Sequence, residues 1–292
     1  MTQMPPAAPS TASSGSFRIG GDLKVNRLGY GSMQIIGSGY WGPPRDEAEA
    51  VRVLRRAVEL GVNLIDTADA YGPFYAEQLI AKALRPYPED LVIATKGGVV
   101  RPGPDNWQSV GHPEYLRHAL ELSLRHLQVE RIDLYQLHRV DPRVPIEESL
   151  GELRLLQQEG KIRHIGLSEV GVAEIERARQ IVDIESVQNM YNLIERGAAE
   201  VLEYTAREGI AFIPWFPMAT GQLAAPGGPL EALAKEHGSS PAQLALAWLL
   251  HSAPNVLPIP GTSKVAHLEE NIAAGTLRLS GTDITALDQI AA

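Results

Sequence analysis

The chain has 292 residues, enough at roughly 100–200 residues per domain for one large domain or two small ones. It contains no cysteine, which excludes disulfides, thiolate metal sites and a cysteine nucleophile. Lys and Arg number 26 against 35 Asp and Glu, a net charge of -9 with no basic run, which argues against nucleic-acid or anionic-membrane partners.

Residues 1–16 are rich in Pro, Ala and Ser and lack the apolar segment of a secretory signal. They are expected to be a disordered tail, outside a single domain over residues 17–292. No apolar stretch reaches the roughly 18 residues of a membrane-spanning helix, so a soluble cytoplasmic protein is expected. Gly20-Gly21-Asp22 between two short apolar segments predicts a hairpin. Beyond it, short apolar runs alternate eight times with amphipathic stretches. The runs cover residues 27–30, 62–66, 91–96, 132–138, 162–167, 186–189, 210–215 and 256–260. The amphipathic stretches cover 46–60, 75–84, 113–127, 146–159, 172–181, 198–208, 241–251 and 267–273. Gly61, Gly160 and Gly209 sit just past helices, and Pro113 and Pro241 suit first turns. Alternating βα units imply a parallel sheet, and eight of them predict a closed (β/α)8 TIM barrel. The N-terminal β-hairpin precedes it and a C-terminal helix follows it.

In such a barrel, reactive groups stand at the C-terminal ends of the strands. The tips here are Gly31-Ser32-Met33, Asp66-Thr67, Lys96-Gly97, His138-Arg139, Ser168-Glu169, Gln188-Asn189, Trp215-Phe216 and Gly261-Thr262. Strand interiors are Val, Ile and Leu, so Asp66, Lys96 and His138 at the tips need a partner or a task. Solvent beginning at a strand end accounts for any one of them; their convergence on one barrel mouth points to chemistry. Tyr71 follows Asp66 by five residues in a loop. A phenol titrates near 10, and a nearby ammonium such as Lys96 would bring it toward neutral pH as a proton donor. His112, His118, His126 and His164 lack metal-ligand spacing, and no metal site is expected.

Seven segments, in order, resemble the aldo-keto reductases from about residue 17 to the end. They are Gly29-Tyr-Gly-Ser-Met, Leu64-Ile-Asp-Thr-Ala-Asp-Ala-Tyr-Gly, Ile93-Ala-Thr-Lys, Leu134-Tyr-Gln-Leu-His, Ile165-Gly-Leu-Ser, Val187-Gln-Asn and Ile259-Pro-Gly-Thr-Ser with Glu270-Asn271. Within that family, Val25-Asn-Arg-Leu-Gly-Tyr-Gly, Trp41-Gly-Pro-Pro-Arg-Asp and Ala247-Trp-Leu-Leu are similar to bacterial members related to pyridoxal reductase. The resemblance implies NADPH-dependent reduction of a small carbonyl substrate. It implies that Tyr71 gives a proton to the carbonyl oxygen, Lys96 lowers its pKa, Asp66 pairs with Lys96, and His138 orients the carbonyl. It also implies a cofactor site. Ser168 and Gln188 match the carboxamide contacts and Trp215 the ring that stacks on the nicotinamide. Gly31, Ser32, Met33, Asp66, Phe216, Pro217 and Gly221 complete that end. Gly261, Thr262, Ser263, Lys264, His267, Glu270 and Asn271 would hold the phosphate end, Lys264 favouring NADP over NAD. Two positions depart from the family: Glu169 stands where Asn is usual, and His267 where many members carry Arg. Trp41 and Trp107, with His138, are the expected substrate contacts. Tyr40, Phe74, Arg139 and Met218 lie in loops on the same side.

Three alternatives stand beside this reading. Gly37-Ser-Gly-Tyr-Trp-Gly42 is a literal G-x-G-x-x-G, as in a Rossmann domain. Pro43-Pro44 separate it from the next helix, and eight βα units exceed one such domain. Lys96 could form a Schiff base in a lyase. A barrel of this family could also bind NADPH as a redox-sensing subunit with little turnover.

Overall fold

Apolar runs bounded by glycine and proline become short parallel strands, and the amphipathic stretches between them become the helices that cover their outer faces. The computed structural model describes residues 10–218 and 230–291. A hairpin of β1 (Ser16–Ile19) and β2 (Leu23–Asn26) opens the chain. Then follow β3 (Tyr30–Gly31), α1 (Glu47–Glu59), β4 (Leu64–Asp66), α2 (Tyr75–Leu84) and β5 (Val92–Gly97). A second hairpin, β6 (Val99–Gly103) with β7 (Asn106–Ser109), interrupts the alternation before α3 (Pro113–Leu127). The alternation resumes with β8 (Ile132–Leu137), α4 (Ile146–Gln158), β9 (Ile162–Ser168), α5 (Val172–Arg179), β10 (Ser186–Gln188), α6 (Ala199–Glu208) and β11 (Ala211–Phe212). Helices α7 (Glu231–Glu236), α8 (Pro241–Ser252), α9 (Val265–Ala273) and α10 (Gly281–Asp288) complete the described chain.

The seven parallel strands are ordered β11-β10-β9-β8-β5-β4-β3. The eighth staves the barrel without forming a regular strand. At residues 255–258, Phe212 N–H donates to Asn255, Leu257 N–H to Phe212, and Gly29 N–H to Pro258. Pro258 and Pro260 have no N–H to donate, which is why the run read as a strand forms isolated bonds instead of a ladder. The seam is tight: a Cβ on Gly31 would lie 2.7 Å from the Ile259 carbonyl oxygen, and one on Gly261 2.8 Å from that of Gly31. The fold is thus the expected (β/α)8 barrel. Among the described residues no helix is long and apolar enough to cross a membrane.

Two cores divide the interior. The larger lies between strands and helices. The smaller joins Ile19, Leu23 and Val25 of the hairpin to Leu64, Val92, Leu134, Ala211 and Leu257. Leu64, Val92 and Ala211 begin their strands, so the hairpin plugs the end of the barrel opposite the reactive tips.

The disordered tail expected over residues 1–16 does not extend through residues 10–16. Residues 1–9 lie outside the described residues, but Thr11–Ser14 form a 3-10 turn in which Thr11 and Ser14 are buried. Thr11 N–H donates to the Leu60 carbonyl at 3.0 Å, Leu28 N–H to Ser14 Oγ at 3.1 Å, and Arg27 N–H to Gly15 at 3.0 Å. Small hydroxyl residues that look like a linker in composition are here capping groups for the start of the barrel.

At the top of β5 the packing leaves no room for a side chain. A Cβ on Gly97 would fall 2.0 Å from the Tyr135 hydroxyl oxygen. Gly97→Ala is expected to destabilise the fold by about 1–3 kcal/mol through overpacking, measured by urea unfolding. Combining it with Tyr135→Phe should recover part of the loss. An unchanged transition midpoint in Gly97→Ala alone would contradict this packing.

Candidate active site

Side chains alternate along a strand, and that alternation gathers the polar tips. Lys96 of β5 pairs in register with Gln136 of β8, while Gln188 of β10 pairs with Ser168 of β9. Lys96 Nζ is fully buried; it donates to Asp66 Oδ1 at 2.6 Å and the Thr67 carbonyl at 2.7 Å, and reaches the Tyr71 hydroxyl at 3.5 Å. The second Asp66 oxygen accepts from Gln188 Nε2 at 2.8 Å and Gln136 Nε2 at 3.3 Å. A buried ion pair is tolerated when its remaining lone pairs are hydrogen-bonded, and two amides meet that need. Tyr71 is set in the β4–α2 loop, its ring centroid 6.1 Å from that of His138 and 6.4 Å from that of Trp107. Asp66, Tyr71, Lys96 and His138 therefore meet at one floor.

Their electrostatics differ from group to group. Burial alone would push Lys96 down; the Asp66 carboxylate and Tyr71 more than offset it, and the ammonium ends above its ordinary value. That is the opposite of the neutral amine a Schiff base needs. Burial pushes the Tyr71 phenol up, and Lys96 draws it back only in part. The expected lowering is therefore outweighed by desolvation, and Tyr71 is a protonated donor at neutral pH. Burial first, then the cations Lys96, Arg139 and Arg101, hold His138 well below its ordinary value, so the imidazole is neutral.

A cavity of about 770 Å³ opens above this floor. Of the expected cofactor residues it is lined by Gly31, Met33, Asp66, Ser168, Gln188, Trp215, Phe216, Pro217 and Gly261. A second cavity of about 610 Å³ shares Met33, Gln34 and Tyr40 with it and runs to Ser263 and Lys264. Ser32 is buried with Oγ unpartnered, and Thr262 is buried beside Tyr30, whose hydroxyl donates to its carbonyl at 2.7 Å. Helix α9 starts two residues earlier than expected, which makes Lys264 its N-cap. His267 is exposed on its first turn. The Glu270 carbonyl accepts from Gln243, and Asn271 is buried with Nδ2 unpartnered. None of those three lines either cavity. Gly221 lies outside the described residues. Trp107 and His138 line the main cavity as expected, but Trp41 does not. Trp41 is bridged to Gly72 with the Arg101 guanidinium 5.9 Å from its ring, and Tyr40 takes the lining position.

Glu169, the first departure from the family pattern, has a local task. Its backbone is left-handed, at φ +57. Its carboxylate accepts from the Met190 amide at 2.7 Å and from the Trp215 indole N–H. An acid here pins the indole at the cavity wall.

Several residues escape the sequence reading. Gln136 shares strand parity with His138, a signal that was there to be used. Arg101 leaves no such signal. Its guanidinium donates to the carbonyls of Gly39, Tyr40, Ala70 and Asn106, and lies 3.6 Å from the Trp107 ring centroid. Behind Lys96, buried Glu77 accepts from Thr95 Oγ1 at 2.7 Å.

Residues 27–292 match the model of the Aldo/keto reductase family. An uncharacterized oxidoreductase of Schizosaccharomyces pombe is 47% identical over 97% of this chain and 92% of its own length. The pyridoxine 4-dehydrogenase of Escherichia coli is 44% identical over 95% of this chain and 99% of its own. An aldo/keto reductase from Klebsiella pneumoniae, solved in complex with NADP and acetate, superposes with a TM-score of 0.81 at 26% identity, covering 94% of both chains. The chain belongs to the aldo/keto reductase family, and is an oxidoreductase of the carbonyl–alcohol couple.

Burial raises Glu77 from 4.5 to about 7. A carboxyl raised in the folded state binds a proton there that the unfolded chain has already released. It stabilises fully below about 4.5, and that contribution is lost as pH rises through about 7. Relative to Glu77→Gln, the protein should lose roughly 2.5 kcal/mol between pH 5 and pH 8 in urea unfolding. Identical pH slopes for the two proteins would refute a buried titrating Glu77.

Proposed function

We propose that this protein is an NADPH-dependent reductase of aldehydes or ketones, acting in the cytoplasm, with Tyr71 as the proton donor. The observation that carries this reading is the buried Lys96 ammonium reaching both Asp66 and the Tyr71 hydroxyl beneath an open cavity. The residues fit a dinucleotide. Two joined cavities lead from the barrel floor to the exposed Lys264. Beyond them, Ala266 and His267 head α9 with amides that have no intrahelical acceptor, a setting suited to phosphate. Asn271 Nδ2 is a further buried donor left unpartnered. Ser168, Gln188 and Trp215 would hold the nicotinamide end, and Ser263 and Lys264 the phosphate end.

Held by these residues, NADPH would supply the hydride that reduces the carbonyl carbon. Tyr71, protonated at neutral pH, gives its proton to the carbonyl oxygen. Lys96 stabilises the phenolate that results, and Asp66 keeps that ammonium from drifting. Neutral His138 can donate a hydrogen bond that orients the carbonyl without competing as an acid. Trp107 and Tyr40, with centroids 6.0 Å apart, wall the substrate side and limit water. The likeness to pyridoxine 4-dehydrogenase makes pyridoxal the first substrate to assay.

Tyr71→Phe should leave the NADPH dissociation constant within twofold and lower kcat by about 10²–10⁴; a retained kcat would remove Tyr71 as the acid. Lys264→Ala should weaken NADPH by about tenfold while sparing NADH, as loss of a charge-assisted contact predicts. Equal losses for the two dinucleotides in equilibrium titration would remove Lys264 from the phosphate site.

A further inference from the structure

Arg139 is the one lining group of the main cavity whose charge the mechanism leaves unused. It follows His138 directly and is half-buried. Its Nη1 donates to the His138 carbonyl at 2.6 Å and to Ser168 Oγ at 3.0 Å. Nε and Nη2 have no acceptor among the described residues, and no carboxylate forms an ion pair with the group there. The neighbouring acids are committed elsewhere. Asp66 is filled by Lys96, Gln136 and Gln188, and Glu169 holds the Met190 amide and the Trp215 indole. Arg101, the other guanidinium near the rim, spends its donors on four backbone carbonyls. Lys96 lies beneath the floor, bound to Asp66. Burial lowers this guanidinium's pKa, and the Glu169 carboxylate acts on it only from beyond ion-pair distance; such a group gains from an anion that meets it directly, and its planar fork suits carboxylate and phosphate oxygens alike.

We infer that Arg139 is a specificity-determining residue, and that the carbonyl substrates preferred here carry a carboxylate or phosphate that pairs with its free donors. This rests on the reductase reading above and narrows it to anionic carbonyl compounds. His138 and Arg139 are adjacent in sequence, so one substrate would offer its carbonyl to the first and its anionic group to the second.

The test uses matched pairs, 4-carboxybenzaldehyde against benzaldehyde and pyridoxal 5′-phosphate against pyridoxal, with NADPH oxidation as readout. Binding of benzoate against benzamide, read by quenching of Trp107 and Trp215, needs no turnover. The wild type should favour at least one charged member at least tenfold in kcat/KM and should bind benzoate over benzamide. Arg139→Met should bring both preferences close to one, and Arg139→Lys should keep part of them. Which pair responds distinguishes carboxylate from phosphate. A wild type indifferent to charge overturns the inference whether or not the variants fold. So does an Arg139→Met enzyme that keeps both preferences, or one that loses only NADPH affinity, which would make Arg139 a cofactor contact. Benzoate selectivity with no NADPH oxidation on any aldehyde would instead leave Arg139 as an anion site and overturn the reductase reading.

Discussion

Two opposite charges, on Lys96 and Asp66, are held out of water at the bottom of the cavity, and the neighbouring strands are built around them. Removing such ions from solvent costs several kcal/mol each, which only close pairing and full hydrogen bonding offset. That requirement accounts for two glutamine amides inside a barrel otherwise filled with Val, Ile and Leu. It also fixes the ammonium where the phenol of Tyr71 can sense it. The barrel supplies what a looser scaffold could not: groups from separate strands locked in register, so that none moves without the others.

The alternation of apolar runs and amphipathic stretches was enough to read the barrel, because each βα unit repeats the same physical problem of covering a sheet edge to edge. The tips were legible because an ionisable residue at the end of an apolar strand breaks that pattern. What escaped depended on contacts distant in sequence. The β6–β7 hairpin has no alternation strong enough to separate it from a loop. Arg101 looks like any surface arginine until carbonyls of two loops and of β7 converge on it. Trp41 was preferred to its neighbour Tyr40 as a substrate contact, and only packing against Gly72 and Arg101 turns it away from the cavity. The run over residues 256–260 was read as a strand like the others, whereas Pro258 and Pro260 make it a seam in the barrel. Thr11 and Ser14 read as tail by composition, whereas their hydroxyls find backbone groups at the barrel's start.

A net charge of -9 appears ill-matched to an anionic dinucleotide. The distribution resolves this. Asp66 is neutralised by Lys96, and Asp69 is raised well above its ordinary value, first by burial and then by Glu77. Lys96, Arg101 and Arg139 cluster around the cavity, while many acids lie on the outer helices in exposed pairs that salt would screen. The molecule is acidic in sum, while Arg139 is the cation that lines the main cavity.

The way Arg101 is bonded bears on how this scaffold can change over generations. Its hydrogen bonds to the rim all go to main-chain oxygens, which every amino acid provides, while its face lies over the Trp107 ring. Replacing the side chain at Tyr40, Ala70 or Asn106 leaves the acceptor in place. The loops can therefore exchange their side chains, and with them the shape of the pocket, while one rivet keeps the walls standing. Selection for a new substrate can proceed there without first rebuilding the frame.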